Sequence, residues 1–488
     1  MNMGMMASHL DTLFLVALYT SIAVMVIYLL LENKEAGTTL SWLLVFFFIP
    51  IVGLILYFLF GKGMRKKQKE TLARQNLEHR LQYQYSSLLD QQVTETQVLH
   101  ERYTSPESGK LIRLLQSNSD SILTRHNSVK LFFSGRHKFD VLIEDLEAAQ
   151  HYIHMEYFIW RRDELTRKIV EILKKKAAQG VKVRILYDEI GNFLPRRYRR
   201  KLRKAGIEIH PNYHFLSLFR IHILNYRNHR KLVIIDGHIG YLGGMNMGQE
   251  YINGGRYFPF WRDTHARIQG ESVAVLQEVF AVGWFNTIKE DIEKASPIPE
   301  IPKRANGTHI QITTSGPDSE WDSIKQIYFQ LISTAEKHIY IISPYFIPDA
   351  SIVMALKTAA LSGIDVRVLL TGYLDKRVPY WAALTYLKDL LSAGVRFFYY
   401  TKGFMHAKTL VVDSHTCSIG TANMDIRSFA LNYEINALIY DQGIAKEVEE
   451  MFFTDLQTSR EFTLKDYDSI RRLKQLRNSL ARLFAPLL

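Results

Sequence analysis

Residues 229–246 read HRKLVIIDGHIGYLGGMN, and residues 406–423 read HAKTLVVDSHTCSIGTAN. Each copy has a His, a Lys two residues on and an Asp five residues after that, then a Gly-Gly or Gly-Thr pair and an Asn ten residues past the Asp. The apolar runs at 232–235 and 410–412 end in turn residues, so each copy predicts a buried strand. Side chains alternate along a strand, which puts His229 and Lys231 on one face, and His406 and Lys408 likewise. A second short strand (239–242; 417–419) would bring Asn246 or Asn423 back beside the His-Lys pair. An imidazole, an ammonium and an amide, each present twice, suit an oxyanion that is attacked and then released. One such motif could arise by chance; two with the same downstream spacing do not.

The repetition runs well beyond the motifs. VKLFFSG (129–135) answers IQITTSG (310–316), IHMEYFI (153–159) answers YIISPYFI (340–347), and GVKVRILYD (180–188) answers GIDVRVLLT (363–371). AGIEI (205–209) answers AGVRF (393–397). Amphipathic helices at 140–150, 165–179, 321–337 and 352–362 alternate with these strands, which predicts an α/β fold of mixed sheets flanked by helices. A Pro-rich linker at 296–307 would separate two homologous lobes, 127–295 and 308–465, that share one pseudo-twofold active site.

Ahead of the lobes, residues 12–31 carry no charge and are long enough to cross a bilayer, as are residues 37–61, interrupted by Pro50. The expectation over 1–62 is a two-helix transmembrane hairpin. The basic run GKGMRKKQK (61–69) then places everything after it in the cytoplasm, giving a multi-pass cell-membrane protein. Residues 63–126 read as a polar connector. In the first copy His229 also follows Gly206 by 23 residues, where in the second His406 follows Gly394 by 12. The excess, at 211–227, is apolar and aromatic, and Phe215 and Phe219 are candidate lipid contacts beside the site, with a core helix as the alternative. Residues 466–488 read as a basic amphipathic helix, suited either to an anionic membrane surface or to packing on the lobes.

The chain has 488 residues, 47% of them hydrophobic, and a net charge of +12 that favours an anionic partner. Its one cysteine, Cys417, excludes an intrachain disulfide. No metal-ligand spacing appears, so neither a metal nor another cofactor is expected.

The doubled motif resembles the phospholipase D superfamily. The longer NHRKLVIIDGHIGYLGGMNMGQEYI (228–252) with FWRDTHARI (260–268) resembles bacterial cardiolipin synthases. The resemblance implies a membrane-embedded phosphatidyltransferase that moves a phosphatidyl group from one phosphatidylglycerol to another through a histidine, yielding cardiolipin and glycerol. A phospholipase D-type hydrolase and another phosphatidyltransferase are the alternatives. A nuclease has no use for the membrane segments, so no nucleic acid partner is expected, and a non-catalytic lipid binder would not need both motifs intact. Homo-oligomerisation is left open.

The chemistry needs a nucleophile, a proton donor and cations for phosphoryl oxygens. One of His229 and His406 would attack while the other donates, with Lys231, Lys408, Asn246 and Asn423 holding the phosphate. The insertion before His229 points to that histidine as the nucleophile, the assignment usual in the superfamily. Asp236 and Asp413 complete the catalytic motifs. Yet Asp413 lies seven residues from His406, on the opposite face of a strand and roughly 20 Å along it, so both read as turn-fixing residues. WRDTHARI and NYEINALI align, and the superfamily has a carboxylate near this position that bonds the catalytic imidazole. This implies Asp263 as the partner of His229 and Glu434 as that of His406.

Overall fold

The computed structural model describes residues 3–32, 36–57, 61, 106–192, 194–212, 225–255, 258–292 and 307–485. Its contacts divide the chain into a small unit that contains the N-terminal helices and a large unit that contains both repeats.

In the small unit, α1 (Met3–Leu31) includes the uncharged stretch Thr12–Leu31. Its 20 residues rise roughly 30 Å, the depth of a bilayer's hydrocarbon. Among the described residues it is the one helix long and apolar enough to cross a membrane. The second expected span is broken. α2 (Ala36–Phe48) stops ahead of Pro50, which opens α3 (Pro50–Leu56). Proline lacks the N–H that would continue the ladder and suits the first turn of a new helix. α3 folds back on α2, with the Tyr57 ring edge-on to Trp42 at 5.1 Å and its hydroxyl donating to Glu32 at 2.7 Å. A side chain at Gly53 would press on the Val45 carbonyl at 3.0 Å, so only glycine allows this approach. The straight hairpin expected from hydropathy is therefore one long helix followed by a bent pair.

The first repeat contributes β1 (Leu123–Phe132), β2 (Tyr152–Tyr157), β3 (Lys182–Asp188), β4 (Ile207–Asn212), β5 (Arg227–Asn228), β6 (Lys231–Ile235), β7 (Ile239–Gly243), β8 (Trp261–Arg262) and β9 (His265–Gln269). The second contributes β10 (Thr308–Ser315), β11 (His338–Ile342), β12 (Phe346–Ile347), β13 (Asp365–Thr371), β14 (Arg396–Tyr400), β15 (Phe404–Met405), β16 (Thr409–Val412), β17 (Thr416–Gly420), β18 (Met424–Asp425), β19 (Asn432–Tyr440) and β20 (Ser459–Phe462).

Sixteen of these strands make one continuous mixed sheet, joined at the antiparallel pair β1–β10, while β12 with β18 and β15 with β8 form two separate two-stranded ladders. Read outward from that pair, the order is β1-β9-β7-β6-β2-β3-β4 on one side and β10-β19-β17-β16-β11-β13-β14 on the other. Sequence order and sheet order thus repeat together, with β20 added at the second edge. Both faces are covered. Val233 and Ile235 of β6 pack with Phe139 and Leu173 on one face, while Leu232 and Ile234 pack with Leu276 and Phe280 on the other. Alternation therefore puts the motif strand between two apolar layers and leaves its polar residues only at the strand start.

The connector expected over 63–126 ends earlier than its polarity suggests. Residues Pro106–Ser119 form a helix, and its Leu111 and Leu115 sit in the core of the second repeat with Ile324 and Ile327. The linker at 296–306 and the insertion residues 213–224, which include Phe215 and Phe219, lie outside the described residues.

Candidate active site

Two short parallel bridges build the site. β5 pairs with the start of β19 (Asn228 opposite Tyr433), and β15 pairs with β8 (Met405 opposite Arg262). The His229 N–H thereby donates to the Tyr433 carbonyl at 2.9 Å, and the His406 N–H to the Arg262 carbonyl at 2.7 Å. Each histidine is held by the repeat it does not belong to. The next residue along each bridge is a carboxylate, and it meets the imidazole across the repeats. His229 Nδ1 lies 2.9 Å from a Glu434 oxygen, and His406 Nδ1 lies 2.7 Å from Asp263. This corrects the pairing expected from the aligned repeats: Glu434 serves His229 and Asp263 serves His406. With Nδ1–H given to the carboxylate, Nε2 is the free nitrogen of each ring.

Both carboxylates are fully buried, and they are held differently. Thr421 Oγ1 donates to Glu434 at 2.5 Å and Asn432 Nδ2 at 3.1 Å. Asp263 accepts the Thr264 N–H at 2.7 Å. Gly244 stands where the second motif has Thr421, and a Cβ there would collide with the Asp263 carboxyl. Gly244→Ala is expected to displace Asp263 and cut turnover severely, while Thr421→Ser, which keeps the hydroxyl, stays close to wild type in the same transferase assay.

Lys231 and Lys408 are buried behind the histidines, and each Nζ donates to the carbonyl of its own motif's His. Burial pushes Lys231 down and lowers Lys408 to about 8, against the attraction of the two carboxylates. Burial, then Lys408, lowers His406 to about 3. Burial and both lysines also hold His229 well below its ordinary value, while burial raises Glu434 to about 7. Burial thus favours the uncharged form at both histidines and both lysines. An arriving phosphodiester supplies negative charge and raises the groups that must carry protons.

The two asparagines are not equivalent. Asn246 Oδ1 accepts the Ile159 N–H at 3.1 Å, and its Nδ2 donates to the Tyr251 hydroxyl at 3.0 Å. Asn423 is buried near Ser428, with Oδ1 unpartnered. An open cavity of about 790 Å³ has His229, His406, Asn246 and Tyr251 in its wall. Phe158, Phe258, Trp261 and Phe404 add aromatic surface, and Arg162 and Lys376 add cationic side chains.

Asp236 and Asp413 take no part in this cavity, as their spacing along the strand implied; they are corrected here from catalytic to architectural. Both adopt left-handed backbone (φ 51° and 53°). The Asp236 carboxylate accepts the N–H groups of Gln150, His151 and Tyr152 at 2.6–2.7 Å, and Asp413 those of Glu336, Lys337 and His338 at 2.8–2.9 Å. Asp236→Ala is expected to cost about 2–4 kcal/mol of stability through these lost charge-assisted bonds. Protein that remains folded should keep its turnover, as denaturant titration run beside activity will show.

Tyr251, 3.4 Å from His406 Nδ1, and Thr421 were not among the expected site residues. Tyr251 has no counterpart in the second motif, so the repeat offered no signal for it. Thr421 is the Thr of the Gly-Thr pair, and its difference from Gly244 was the available clue.

The sequence matches the family described as cardiolipin synthase, PLD-like domain, over residues 142–255 and 328–456. Residues 18–62 match the family of phospholipase D-nuclease N-terminal segments. The chain is 42% identical to the major cardiolipin synthase ClsA of Bacillus subtilis (strain 168), covering 96% of this chain and 97% of that one. It is 38% identical to a cardiolipin synthase of Oceanobacillus iheyensis, with 96% and 97% covered. Among solved structures, the phosphatidylserine synthase of Haemophilus influenzae Rd KW20 superposes with a TM-score of 0.59 at 14% identity, covering 78% of this chain and all of that one. At that identity the likeness is one of fold.

Proposed function

The chain belongs to the phospholipase D-like cardiolipin synthase family, and on that premise we propose how its own residues carry out the transfer. The reaction moves a phosphatidyl group from one phosphatidylglycerol to another, giving cardiolipin and glycerol. His229 Nε2 attacks phosphorus, its Nδ1–H held by Glu434, which stabilises the imidazolium-like nitrogen as the P–N bond forms. His406 gives its Nε2 proton to the departing glycerol oxygen as the P–O bond breaks, with Asp263 stabilising its charged form. The acceptor's hydroxyl then loses its proton to His406 and attacks phosphorus, and the P–N bond breaks. Lys231, Lys408 and Asn246 face the phosphoryl oxygens; Arg162 and Lys376 suit the acceptor's own phosphate.

The observation that carries this reading is the pair of imidazoles in one cavity, each bound through Nδ1 to a buried carboxylate from the other repeat. Purified enzyme with phosphatidylglycerol should produce cardiolipin and glycerol in equal amounts. Phosphatidic acid as the main product would instead support a hydrolase.

The pH profile follows from the same groups. Below about 7, Glu434 is protonated and cannot stabilise the attacking ring; above about 8, Lys408 loses its charge. Because His406, at about 3 in the free enzyme, must also take up a proton, a plot of kcat/KM should be level below about 7, fall above it and fall more steeply beyond about 8. Lys408→Arg, where active, should move the steeper alkaline limb upward.

The basic run at 61–69 supports cytoplasmic catalytic repeats. A cysteine placed at Ser105 should resist labelling from outside intact cells, and labelling there would contradict this orientation. A cysteine at Asn33 should label if 37–61 crosses the bilayer, making the protein multi-pass.

A further inference from the structure

The C-terminal helix Arg472–Arg482 resolves into two faces with different fates. Its small residues face the protein: Asn478, Ala481 and Ala485 are buried, the alanines against Ile347, Ala382 and Tyr386. The Arg477 guanidinium lies over the Trp381 ring at 4.2 Å and Arg482 over Tyr386 at 4.7 Å, which pins the helix to helix Arg377–Ser392. The larger apolar residues point away. Leu473 is 82% exposed, Leu476 59%, Leu480 54%, Leu483 74% and Phe484 55%. At 100° per residue these five fall within one arc, roughly opposite the buried alanines. A helix packed on a lobe would be expected to bury its leucines. Here it buries its alanines.

Cations surround the outward stripe. Arg471, Arg472 and Lys474 are exposed at its N-terminal end and Arg482 at its C-terminal end, with no acidic residue between 471 and 485. An apolar stripe flanked by cations and free of acidic neighbours along the helix matches the boundary between headgroups and acyl chains of an anionic leaflet. The helix it rests on begins directly after Lys376, which lines the catalytic cavity.

We propose that residues 473–484 form a membrane-docking surface, with Leu473, Leu476, Leu480, Leu483 and Phe484 entering an anionic phospholipid bilayer while the alanine face stays on the second repeat. The choice of lipid rests on the phosphatidyltransferase reading; the docking geometry does not. A surface of this kind holds the catalytic repeats against the leaflet that supplies both substrates.

The test uses the full-length protein in proteoliposomes. In a Cys417→Ser background, a nitroxide is placed on Leu476→Cys or, separately, on Lys465→Cys outside the stripe. At 476 the label should be more accessible to oxygen than to a water-soluble nickel chelate in phosphatidylglycerol-containing vesicles, and less so in purely zwitterionic ones. The label at 465 should favour the nickel chelate in both. A water-exposed label at 476 in anionic vesicles would overturn the proposal, and so would spin–spin broadening there, which would mean that a second copy covers the stripe. As an independent check, Leu473→Ser with Leu476→Ser and Leu480→Ser should reduce transfer several-fold on bilayer phosphatidylglycerol and leave a short-chain micellar analogue unaffected. Equal losses on both substrates would overturn it. Failure of the transferase reading would show as absent cardiolipin with the nitroxide pattern intact.

Discussion

With a phosphatidyl p-nitrophenyl ester as donor, the His406→Ala and Asp263→Asn proteins will still release a burst of nitrophenolate, and the His229→Ala and Glu434→Gln proteins will not. Nitrophenolate leaves as a stable anion and needs no proton, so the general acid and its carboxylate become dispensable for the first step. The nucleophile and the carboxylate that holds its tautomer do not. The grouping of the four variants therefore reads out the pairing directly. Had each carboxylate served the histidine of its own repeat, Asp263→Asn would fall with His229→Ala, and Glu434→Gln would keep the burst. The crossed contacts, His229 to Glu434 and His406 to Asp263, require the other grouping.

On phosphatidylglycerol itself the same substitutions should separate by size. Glycerol is a poor leaving group, so loss of the acid in His406→Ala should lower turnover by about three to four orders of magnitude. Loss of the nucleophile in His229→Ala should cost about six orders, leaving only what positioning by the lysines and asparagines provides. Replacing both histidines should cost little more than losing His229 alone, because residues acting in one step are not additive. Initial rates of cardiolipin formation for the two single variants and the double variant test this; a double variant slower than His229→Ala by the full His406 factor would mean the two act independently.

How much of this was legible in the sequence depended on whether the information was local. The face shared by His229 and Lys231 follows from strand alternation, and so does the exclusion of Asp236 and Asp413 from the chemistry. The repeat marked both Asp263 and Glu434, because aligned strands carry them at matching positions. It could not say which histidine each would serve. That depends on two-residue bridges between repeats, β5 with β19 and β15 with β8, and no periodicity in either strand encodes its partner.

Elsewhere a local signal was outweighed by tertiary packing. Pro50 stood in plain view, but hydropathy over 37–61 concealed the reversal that Gly53 permits against Val45. Leu111 and Leu115 lie in a polar stretch, and only the second repeat's core shows where they go. The C-terminal leucines suggested an amphipathic helix without saying which side would pack. The answer came from Ala481 and Ala485, whose small size allows close approach to Ala382 and Tyr386.

The central claim is that the phosphatidyl group rests on His229 between its two acceptors. Acid-quenching the His406→Ala protein with radiolabelled phosphatidylglycerol, or with the nitrophenyl ester to speed its loading, should trap label on the peptide carrying His229. The His229→Ala protein treated in the same way should trap none. Label on His406 in the His229→Ala protein, with none on His229 in its counterpart, would contradict the assignment and make His406 the nucleophile.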